Sequence, residues 1–293
     1  MRVGFIGIGN MGMGMAARLL EQHWPVAVRD IDPRREAQAR GIGARVAPTP
    51  SALAADCDCL VIAVVDAAQT QAVLFGPDGA AAAMPAGSAV MLCPTIAPAD
   101  TERFAAGLAE RDIACIDAPM SGGPQRARDG SMSLMVACDD AVFARCRGLI
   151  DALSTQVFRI SQRPGDGART KLVNNLLAGI NLAGAAEALA LAERIGLDPG
   201  RTLDVIEQSS GQSWIGSDRM RRAIAGDLAP RAHTTLLAKD TRLAMQMAGA
   251  AGFDTALGAQ ATALFARACA AGLGGLDDAS LLQLLLRQDG PQP

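Results

Sequence analysis

The chain has 293 residues, of which half are hydrophobic and 19% are charged, and its formal net charge is −3. This length suits two ordinary domains, and the apolar content excludes wholesale disorder. The slightly negative charge offers no general attraction to nucleic acid or to an anionic membrane, so we expect neither as a partner.

The opening "MRVGFIGIG" enters a strand-like run at once, and no run of eighteen apolar residues follows. We therefore expect no signal peptide and no membrane span. Seven cysteines lack C-x-x-C spacing, and His23 and His233 are the only histidines. This composition predicts reduced thiols, no metal site and a cytoplasmic location.

Short β-branched runs alternate with helical segments in the first half of the chain, and two further strand-like runs cover residues 131–137 and 156–161. Such alternation predicts parallel βαβ units, so the expected fold class is α/β with an N-terminal Rossmann-type doubly wound sheet. After Gly167 only helices are predicted, over residues 169–195, 199–209, 215–225, 236–251, 255–271 and 277–287. We expect a dinucleotide-binding domain over 1–163 and an all-α substrate and oligomerisation domain over 164–293.

The first strand runs into Gly7-Ile8-Gly9-Asn10-Met11-Gly12, a G-x-G-x-x-G that opens a helix. In this setting Gly7 permits the tight turn, Gly9 lets the backbone approach a pyrophosphate, and Gly12 lets the helix pack close to the strand. The phosphates would lie at the helix N-terminus, which favours anions. The whole segment, with Asn10 and Met11, is therefore predicted to bind a dinucleotide.

Asp30 ends the second predicted strand, eighteen residues after Gly12. An acid at this position binds the ribose 2′-hydroxyl and repels a 2′-phosphate, which favours NAD over NADP. Arg34 and Arg35 are close enough in sequence to leave NADP open.

Two loops after later strands carry polar groups. "IDAPMSGG" presents the Ser121 hydroxyl and backbone N–H groups, which suit a carboxylate or phosphate, although an ordinary turn has the same composition. "CPTIAP" presents Thr95. In an open α/β sheet, ligands bind beyond the carboxyl ends of the strands, where both loops are expected.

The segment "GDGARTKLVNNLLAG" opens a long apolar helix with Lys171 and Asn175 one turn apart. Oxidation of an alcohol needs a base for the hydroxyl proton, and Lys171 is the best-placed candidate because neither histidine lies in a comparable setting. Asn175 could hold the substrate's hydroxyl or carboxylate. A solvated helix start is the alternative, which the apolar surroundings disfavour.

Four stretches, "GFIGIGNMGMGMAARLL", "DAPMSGG", "GDGARTKLVNNLLAG" and "LLAKDTRLA", resemble in order and spacing the signature regions of the β-hydroxyacid dehydrogenase family. This family includes enzymes of the 3-hydroxyisobutyrate dehydrogenase, 2-hydroxy-3-oxopropionate reductase and L-threonate dehydrogenase types. The resemblance spans nearly the whole chain and implies a homodimer or homotetramer formed through the helical domain.

The resemblance also implies roles for individual residues. Lys171 is implied to be catalytic, and the substrate is implied to be bound by Ser121, Gly122, Gly123 and Asn175. The cofactor is implied to contact Val64, Val65, Thr95 and Lys239. Pro94 stands where the family usually has Ser, and the loop "VVDAAQ" lacks a proline common in relatives, so the shape of the substrate stays open.

The predicted function is NAD-dependent hydride transfer between the nicotinamide and a small 3-hydroxy acid of the 3-hydroxyisobutyrate, glycerate or threonate type. The alternatives are an NADP-dependent semialdehyde reductase and a non-catalytic dinucleotide-binding module. A 6-phosphogluconate dehydrogenase is disfavoured by the small helical domain, and a relative acting on imines is disfavoured by Lys171. "SSGQSW" and "GLDDAS" favour the threonate branch, while Trp214 fits a pocket wall and a helix core equally well.

Overall fold

The structure is a computed structural model that describes residues 1–287. The chain divides into two compact units, residues 1–171 and the residues from 172 onward. The domain division predicted at residues 163/164 stays a prediction, and the last residues of its second part lie outside the described residues.

The first unit contains one nine-stranded sheet with the order β3-β2-β1-β4-β5-β6-β8-β7, and β9 pairs with β8. The strands are β1 (Val3–Ile6), β2 (Val26–Arg29), β3 (Arg45–Val46), β4 (Cys59–Ile62), β5 (Ala89–Leu92), β6 (Ala114–Asp117), β7 (Met120–Ser121), β8 (Ser133–Ala137) and β9 (Gln156–Ser161). The first six strands pair in parallel, whereas β8 is antiparallel to β6 and to β7. The predicted Rossmann-type doubly wound sheet is confirmed.

Seven helices accompany the strands in this unit. They are α1 (Asn10–Glu21), α2 (Pro33–Gly41), α3 (Pro50–Ala54), α4 (Ala67–Phe75), α5 (Pro98–Ala109), α6 (Gly123–Asp129) and α7 (Asp140–Leu153). Alternate residues of the central strands enter two separate apolar cores, as Val61 and Ile62 of β4 do. Both faces of the sheet are thus covered, which explains why β4 reads as a continuous apolar run.

The second unit is helical throughout the part that the structure describes. Its elements are α8 (Asp166–Arg194), which begins in the first unit, α9 (Pro199–Glu207), α10 (Trp214–Ile224), α11 (Thr234–Ala250), α12 (Ala256–Ala268), a π-helical segment (Cys269–Leu273), a 3₁₀ turn (Asp278–Ser280) and α13 (Leu281–Leu286). The predicted all-α C-terminal region is therefore confirmed, and the helix predicted over 277–287 is divided between the 3₁₀ turn and α13.

Five short elements were not predicted: α2, α4, α6, β3 and β7. The strands β3 and β7 have two residues each, too few to show an alternating pattern. Helix α2 is polar over most of its length, so periodicity does not reveal it, although Asp32 as N-cap and Pro33 in the first turn are recognisable start signals.

By length and composition alone, α8 and the stretch Ala256–Leu273 would be long and apolar enough to cross a membrane, and 33% of the apolar stretch in each is buried. A core helix of a soluble protein passes the same test. The absence of a membrane span therefore stays a prediction.

All seven cysteines are free, and five of them are buried.

A buried ion pair stabilises the second unit. Arg222 of α10 lies 2.8 Å from the carboxylate of Asp277, and the Asp277 side chain is fully buried. The same carboxylate accepts hydrogen bonds from the backbone N–H groups of Arg231, Ala232 and Ala279. One aspartate therefore connects the turn before α11 to the segment that leads into α13.

We expect Arg222→Met to lower the free energy of unfolding by about 3–5 kcal/mol, because it leaves a buried carboxylate without its cation. The matched control is Arg221→Met, since Arg221 is the next residue of α10 but is 46% exposed beside Asp204. Its loss should be about 0–1 kcal/mol. Urea unfolding followed by circular dichroism and by Trp214 fluorescence measures both, and equal losses would contradict the assignment.

Candidate active site

Predicted cofactor-binding and substrate-binding residues of the first unit lie in loops at one edge of its sheet. Strands β1, β2, β4, β5 and β6 run parallel, so their carboxyl ends meet at the same edge. The residues that follow these ends include Gly7, Asp30, Val64, Thr95 and Ser121. Sheet topology thus brings together residues that are far apart in the sequence.

The three fingerprint glycines have different surroundings. Gly7 has a φ of +88°, and a Cβ there would lie 2.8 Å from the backbone of Ala63. A Cβ at Gly12 would lie 2.1 Å from the carbonyl oxygen of Gly7. At Gly9, in contrast, no described atom lies within 4 Å of an added Cβ, although φ is an ordinary −61°. Gly7 and Gly12 are thus required by the protein itself, whereas the space above Gly9 can admit a ligand.

Helix α1 begins directly after Gly9, with Asn10 and Met11 in its first turn. No side chain caps this N-terminus, and its first turn has no acidic residue. Helices α2, α4 and α7 are all capped by an aspartate. An uncapped N-terminus beneath an open glycine fits a pyrophosphate, since the N–H groups and the helix dipole favour an anion.

Asp30 comes directly after β2 and contacts the glycine loop. Its carboxylate accepts hydrogen bonds from the N–H of Ile8 at 2.7 Å and from the N–H of Asp32 at 2.9 Å. The two nearby arginines have partners of their own: Arg34 pairs with Asp32 at 3.0 Å, and Arg35 donates to the side chain of Asn10 at 3.1 Å. Asp30 is therefore held beside the loop, where an acid selects a free 2′-hydroxyl.

The Ser121 loop lies between β6 and α6. Ser121 belongs to the short strand β7, and both glycines after it have positive φ, +132° at Gly122 and +79° at Gly123. Helix α6 begins at Gly123 without a side-chain cap. The loop is partly buried and carries a hydroxyl beside backbone N–H groups, which are suitable donors to a carboxylate.

The structure places the remaining predicted contacts of the first unit in loops. Strand β4 ends at Ile62, so Val64 and Val65 lie in the loop after the strand, as predicted. The Val65 N–H donates to Gln69 at 3.0 Å. Thr95 follows β5 and is partly buried.

Lys171 and Asn175 lie one turn apart on α8, and both are buried, with 7% and 8% of their surface exposed. Asn174, which precedes Asn175, is exposed. Burial of an ammonium group is costly, and this distinguishes Lys171 from a solvated surface lysine. The alternative of a solvated helix start is wrong for Lys171 and Asn175.

Asp240 contacts two of the predicted site residues, and the sequence patterns did not single it out. It is buried on α11, and its carboxylate accepts a hydrogen bond from the Asn175 amide at 2.6 Å. The Lys239 ammonium lies 3.1 Å from its other oxygen. Asp240 therefore joins Asn175 to Lys239, and an acid next to a lysine in the motif "AKD" is the signal that could have revealed it.

Trp214 is neither part of a helix core nor enclosed. It begins α10 with 55% of its surface exposed, and the Arg219 guanidinium lies 5.9 Å from its ring centre.

Among residues 1–287, no group of three or more His, Cys, Asp or Glu side chains is arranged to hold a metal ion.

Sequence comparisons cover nearly the whole chain. Residues 2–161 match the family described as the NAD binding domain of 6-phosphogluconate dehydrogenase, and residues 165–285 match the one described as NAD-binding of NADP-dependent 3-hydroxyisobutyrate dehydrogenase. An L-threonate dehydrogenase from Cupriavidus necator is 36% identical, over 96% of this chain and 95% of its own length. Four more proteins of that name are 34–36% identical.

Solved structures share the fold over the same extent. A protein described as 3-hydroxyisobutyrate dehydrogenase from Salmonella typhimurium is 38% identical, with a TM-score of 0.91 over 97% of this chain and 99% of its own. A structure described as Psf3 in complex with NADP+ and 2-OPP is 27% identical, with a TM-score of 0.90 over 97% of this chain and 99% of its own.

The open space at Gly9 generates a test. We expect Gly9→Ala to weaken NADH binding about tenfold or more, because a methyl group that overlaps a ligand costs about 1–3 kcal/mol. Its melting temperature should stay close to that of the wild type, since no protein atom is displaced. Gly41→Ala is the control, because an added Cβ at Gly41 also has no described atom within 4 Å. Fluorescence titration with NADH measures both, and equal affinities would contradict the placement of the pyrophosphate.

The glycine loop, the sheet edge and the buried lysine coincide with the signature regions quoted from the sequence, and the relatives are similar over the same length. The protein binds a nicotinamide dinucleotide and is a dehydrogenase or reductase that acts on a hydroxyl group. The chain belongs to the β-hydroxyacid dehydrogenase family.

Proposed function

We propose that the protein is an NAD-dependent dehydrogenase of a small hydroxy acid, with Lys171 as its general acid and base. The observation that carries this proposal is the burial of Lys171 in an apolar helix. A second observation supports it: among 27 lysine and arginine residues, Lys171 and Lys239 are the only lysines. Most positive charges of this chain are therefore arginines, whereas proton transfer needs an amine that can lose its proton.

In the proposed mechanism each residue has one task. The Ser121 hydroxyl and the N–H groups of Gly122 and Gly123 bind the substrate carboxylate. Asn175 directs an amide N–H at the substrate hydroxyl, because an amide has two such donors and Asp240 accepts only one of them. Lys171 takes the hydroxyl proton as the carbon is oxidised, and it returns a proton when the reaction runs in reverse.

The bound dinucleotide supplies the hydride acceptor or donor. Its pyrophosphate is assigned to the loop Gly7–Gly12, which includes Asn10 and Met11, and its ribose to Asp30. Val64, Val65, Thr95 and Lys239 are assigned to the nicotinamide half. NAD is the proposed cofactor, because Asp30 presents a carboxylate where NADP has a phosphate and because Arg34 and Arg35 are already paired with other side chains.

The proposed substrate is a four-carbon hydroxy acid of the threonate type. Five relatives of nearly equal length bear the name L-threonate dehydrogenase, which supports this choice over 3-hydroxyisobutyrate and glycerate. Threonate has hydroxyl groups on both C2 and C3. The carbon that becomes a carbonyl therefore tests the predicted preference for the 3-hydroxyl group.

We expect the wild type to form NADH fastest with L-threonate in a panel of small hydroxy acids, and to have a higher kcat/KM with NAD than with NADP. Lys171→Arg should lower kcat by about 10²–10⁴-fold, because arginine keeps the charge but does not give up its proton. The affinity for NADH should change little. Steady-state assays and NMR identification of the product measure these outcomes.

The control for this experiment is the reverse exchange, Arg169→Lys, two residues earlier on the same helix. Arg169 is 45% exposed and pairs with Glu102, so its replacement should leave kcat within about twofold, as expected for a surface pair. If Lys171→Arg retains full kcat, the base is another residue. If the wild type binds NADH but oxidises and reduces nothing in the panel, the assigned substrate class is wrong.

The proposed assembly is a homodimer or homotetramer. Val173, Leu177 and Leu191 of α8 and Ile195, which directly follows it, have 59–64% of their surface exposed. Their spacing places them on one face at 3.6 residues per turn. An exposed apolar row of this kind is suited to bind a second copy of the chain.

No nucleic acid or membrane partner is proposed, and the proposed location is the cytoplasm, which cell fractionation tests.

We expect Leu177→Glu combined with Leu191→Glu to dissociate the oligomer into monomers, because each introduces a charge into the proposed apolar interface. Light scattering coupled to size-exclusion chromatography measures the mass. The control is Phe253→Glu, since Phe253 is 67% exposed but follows α11. A wild-type monomer, or an unchanged mass in the double variant, would contradict this interface.

A further inference from the structure

Asp117 is a buried carboxylate that the mechanism above does not use. It is the last residue of β6 and only 2% of its surface is exposed. The carboxylate accepts hydrogen bonds from the backbone N–H groups of Gly165 at 2.7 Å and Ala168 at 3.1 Å, and also from the N–H of Gly167. These donors belong to the first turn of α8 and the residue that precedes it. Asp117 therefore caps α8 from another part of the chain.

The segment around the carboxylate is fitted closely to it. Gly165 has a φ of +102°, which side chains rarely adopt. A Cβ at Gly167 would lie 2.9 Å from the Asp117 carboxylate and 2.7 Å from the carbonyl oxygen of Met135. The two glycines thus let the backbone approach Asp117, and the start of α8 has little room to shift.

Asp117 also lies between two parts of the proposed site. Pro119, Met120 and Ser121 follow it within a few residues, and the Met135 N–H donates to the Pro119 carbonyl at 3.0 Å. On the other side, Lys171 is one helical turn after Gly167. One carboxylate therefore connects the beginning of the Ser121 loop to the turn of α8 that precedes Lys171.

The charge of Asp117 is held against its surroundings. The pKa of its carboxyl group is raised to about 6, because burial and, to a smaller extent, the nearby Asp166 raise it by more than the three N–H donors lower it. The other titratable groups that face it are the thiols of Cys93 and Cys115, and burial together with the Asp117 charge raises the pKa of both. Because the pKa is higher in the folded state than in the unfolded chain, ionisation of Asp117 destabilises the fold as pH rises towards about 6.

We propose that Asp117 is a positioning residue, whose negative charge holds the start of α8 so that Lys171 is aligned with a substrate bound by the Ser121 loop. This inference rests on the proposed function of Lys171. Loss of the charge, by substitution or by protonation at low pH, weakens the three hydrogen bonds and lets the helix start move. Turnover falls while cofactor binding, which uses the Gly7–Gly12 loop, is retained.

The test is Asp117→Asn, with Asp166→Asn as the matched control. Asp166 is in the first turn of the same helix, but its hydrogen bond and ion pairs are with Ser161, Arg163 and Arg169, and it acts on Asp117 only through its charge. We expect Asp117→Asn to lower kcat by about 10–100-fold, because a shift of about 1 Å in a catalytic group has an effect of this size. NADH affinity should stay within twofold of the wild type, as should both parameters of the control variant.

Two further readouts separate positioning from a structural role. The wild-type kcat should decline as pH falls through about 6, and this decline should disappear in Asp117→Asn. The protein has only two lysines, so isotope-labelled lysine gives two side-chain NMR signals that Lys239→Arg assigns. The Lys171 signal should shift in Asp117→Asn and stay in place in Asp166→Asn. An unchanged Lys171 signal with unchanged kcat would overturn the proposal.

If Asp117→Asn does not fold, Gly167→Ala tests the same link without removing the charge. Its added methyl group would push the helix start away from Asp117, so kcat should fall with NADH affinity retained. Gly148→Ala, in helix α7, is the control, because an added Cβ there has no described atom within 4 Å.

If Lys171→Arg is inactive while Asp117→Asn and Gly167→Ala are fully active, the positioning role fails and the proposed function stands. If the wild type is inactive on every substrate, the proposed function fails, and the Lys171 signal still decides the role of Asp117.

Discussion

The parallel pairing of β1, β2, β4, β5 and β6 is the constraint on which the rest of the site depends. Parallel strands need a crossover after each strand, so every carboxyl end must be followed by a loop at the same edge of the sheet. The glycine loop, Asp30, Thr95 and the Ser121 loop all lie at that edge, because each follows the carboxyl end of one of these strands. The same arrangement requires an apolar residue at every position of β4, since a central parallel strand is covered on both faces.

The chain handles its buried charges in two ways. Arg222 and Asp277 neutralise each other inside the second unit, and Asp277 is further satisfied by three backbone N–H groups. Asp117 has the same number of backbone donors but no cation, and burial raises its pKa to about 6. A paired charge of the first kind serves the stability of the fold. An unpaired buried carboxylate at the start of the helix that carries Lys171 is better explained by the site it supports.

Much of the fold and part of the site follow from local patterns. The strand, the G-x-G-x-x-G and the helix are consecutive in the chain, so their spacing alone predicts the turn, and the structure gives Gly7, Gly9 and Gly12 distinct surroundings that account for each glycine. Lys171 could be singled out as a candidate, because a lysine and an asparagine in an apolar helix conflict with burial. Short elements such as β3 and β7 were not, because two residues do not show a period.

The sequence by itself determined the family, the doubly wound sheet and the helical second half, and it singled out the glycine loop and Lys171 as candidates, because each depends on residues adjacent in the chain or on periodic burial. Only the tertiary structure decided the partners of the buried acids. Asp117 meets Gly165 and Ala168 across 48 and 51 residues, and Asp240 meets Asn175 across 65. Such contacts arise when separate elements pack together, and no spacing in a single sequence records which donor a carboxylate will find.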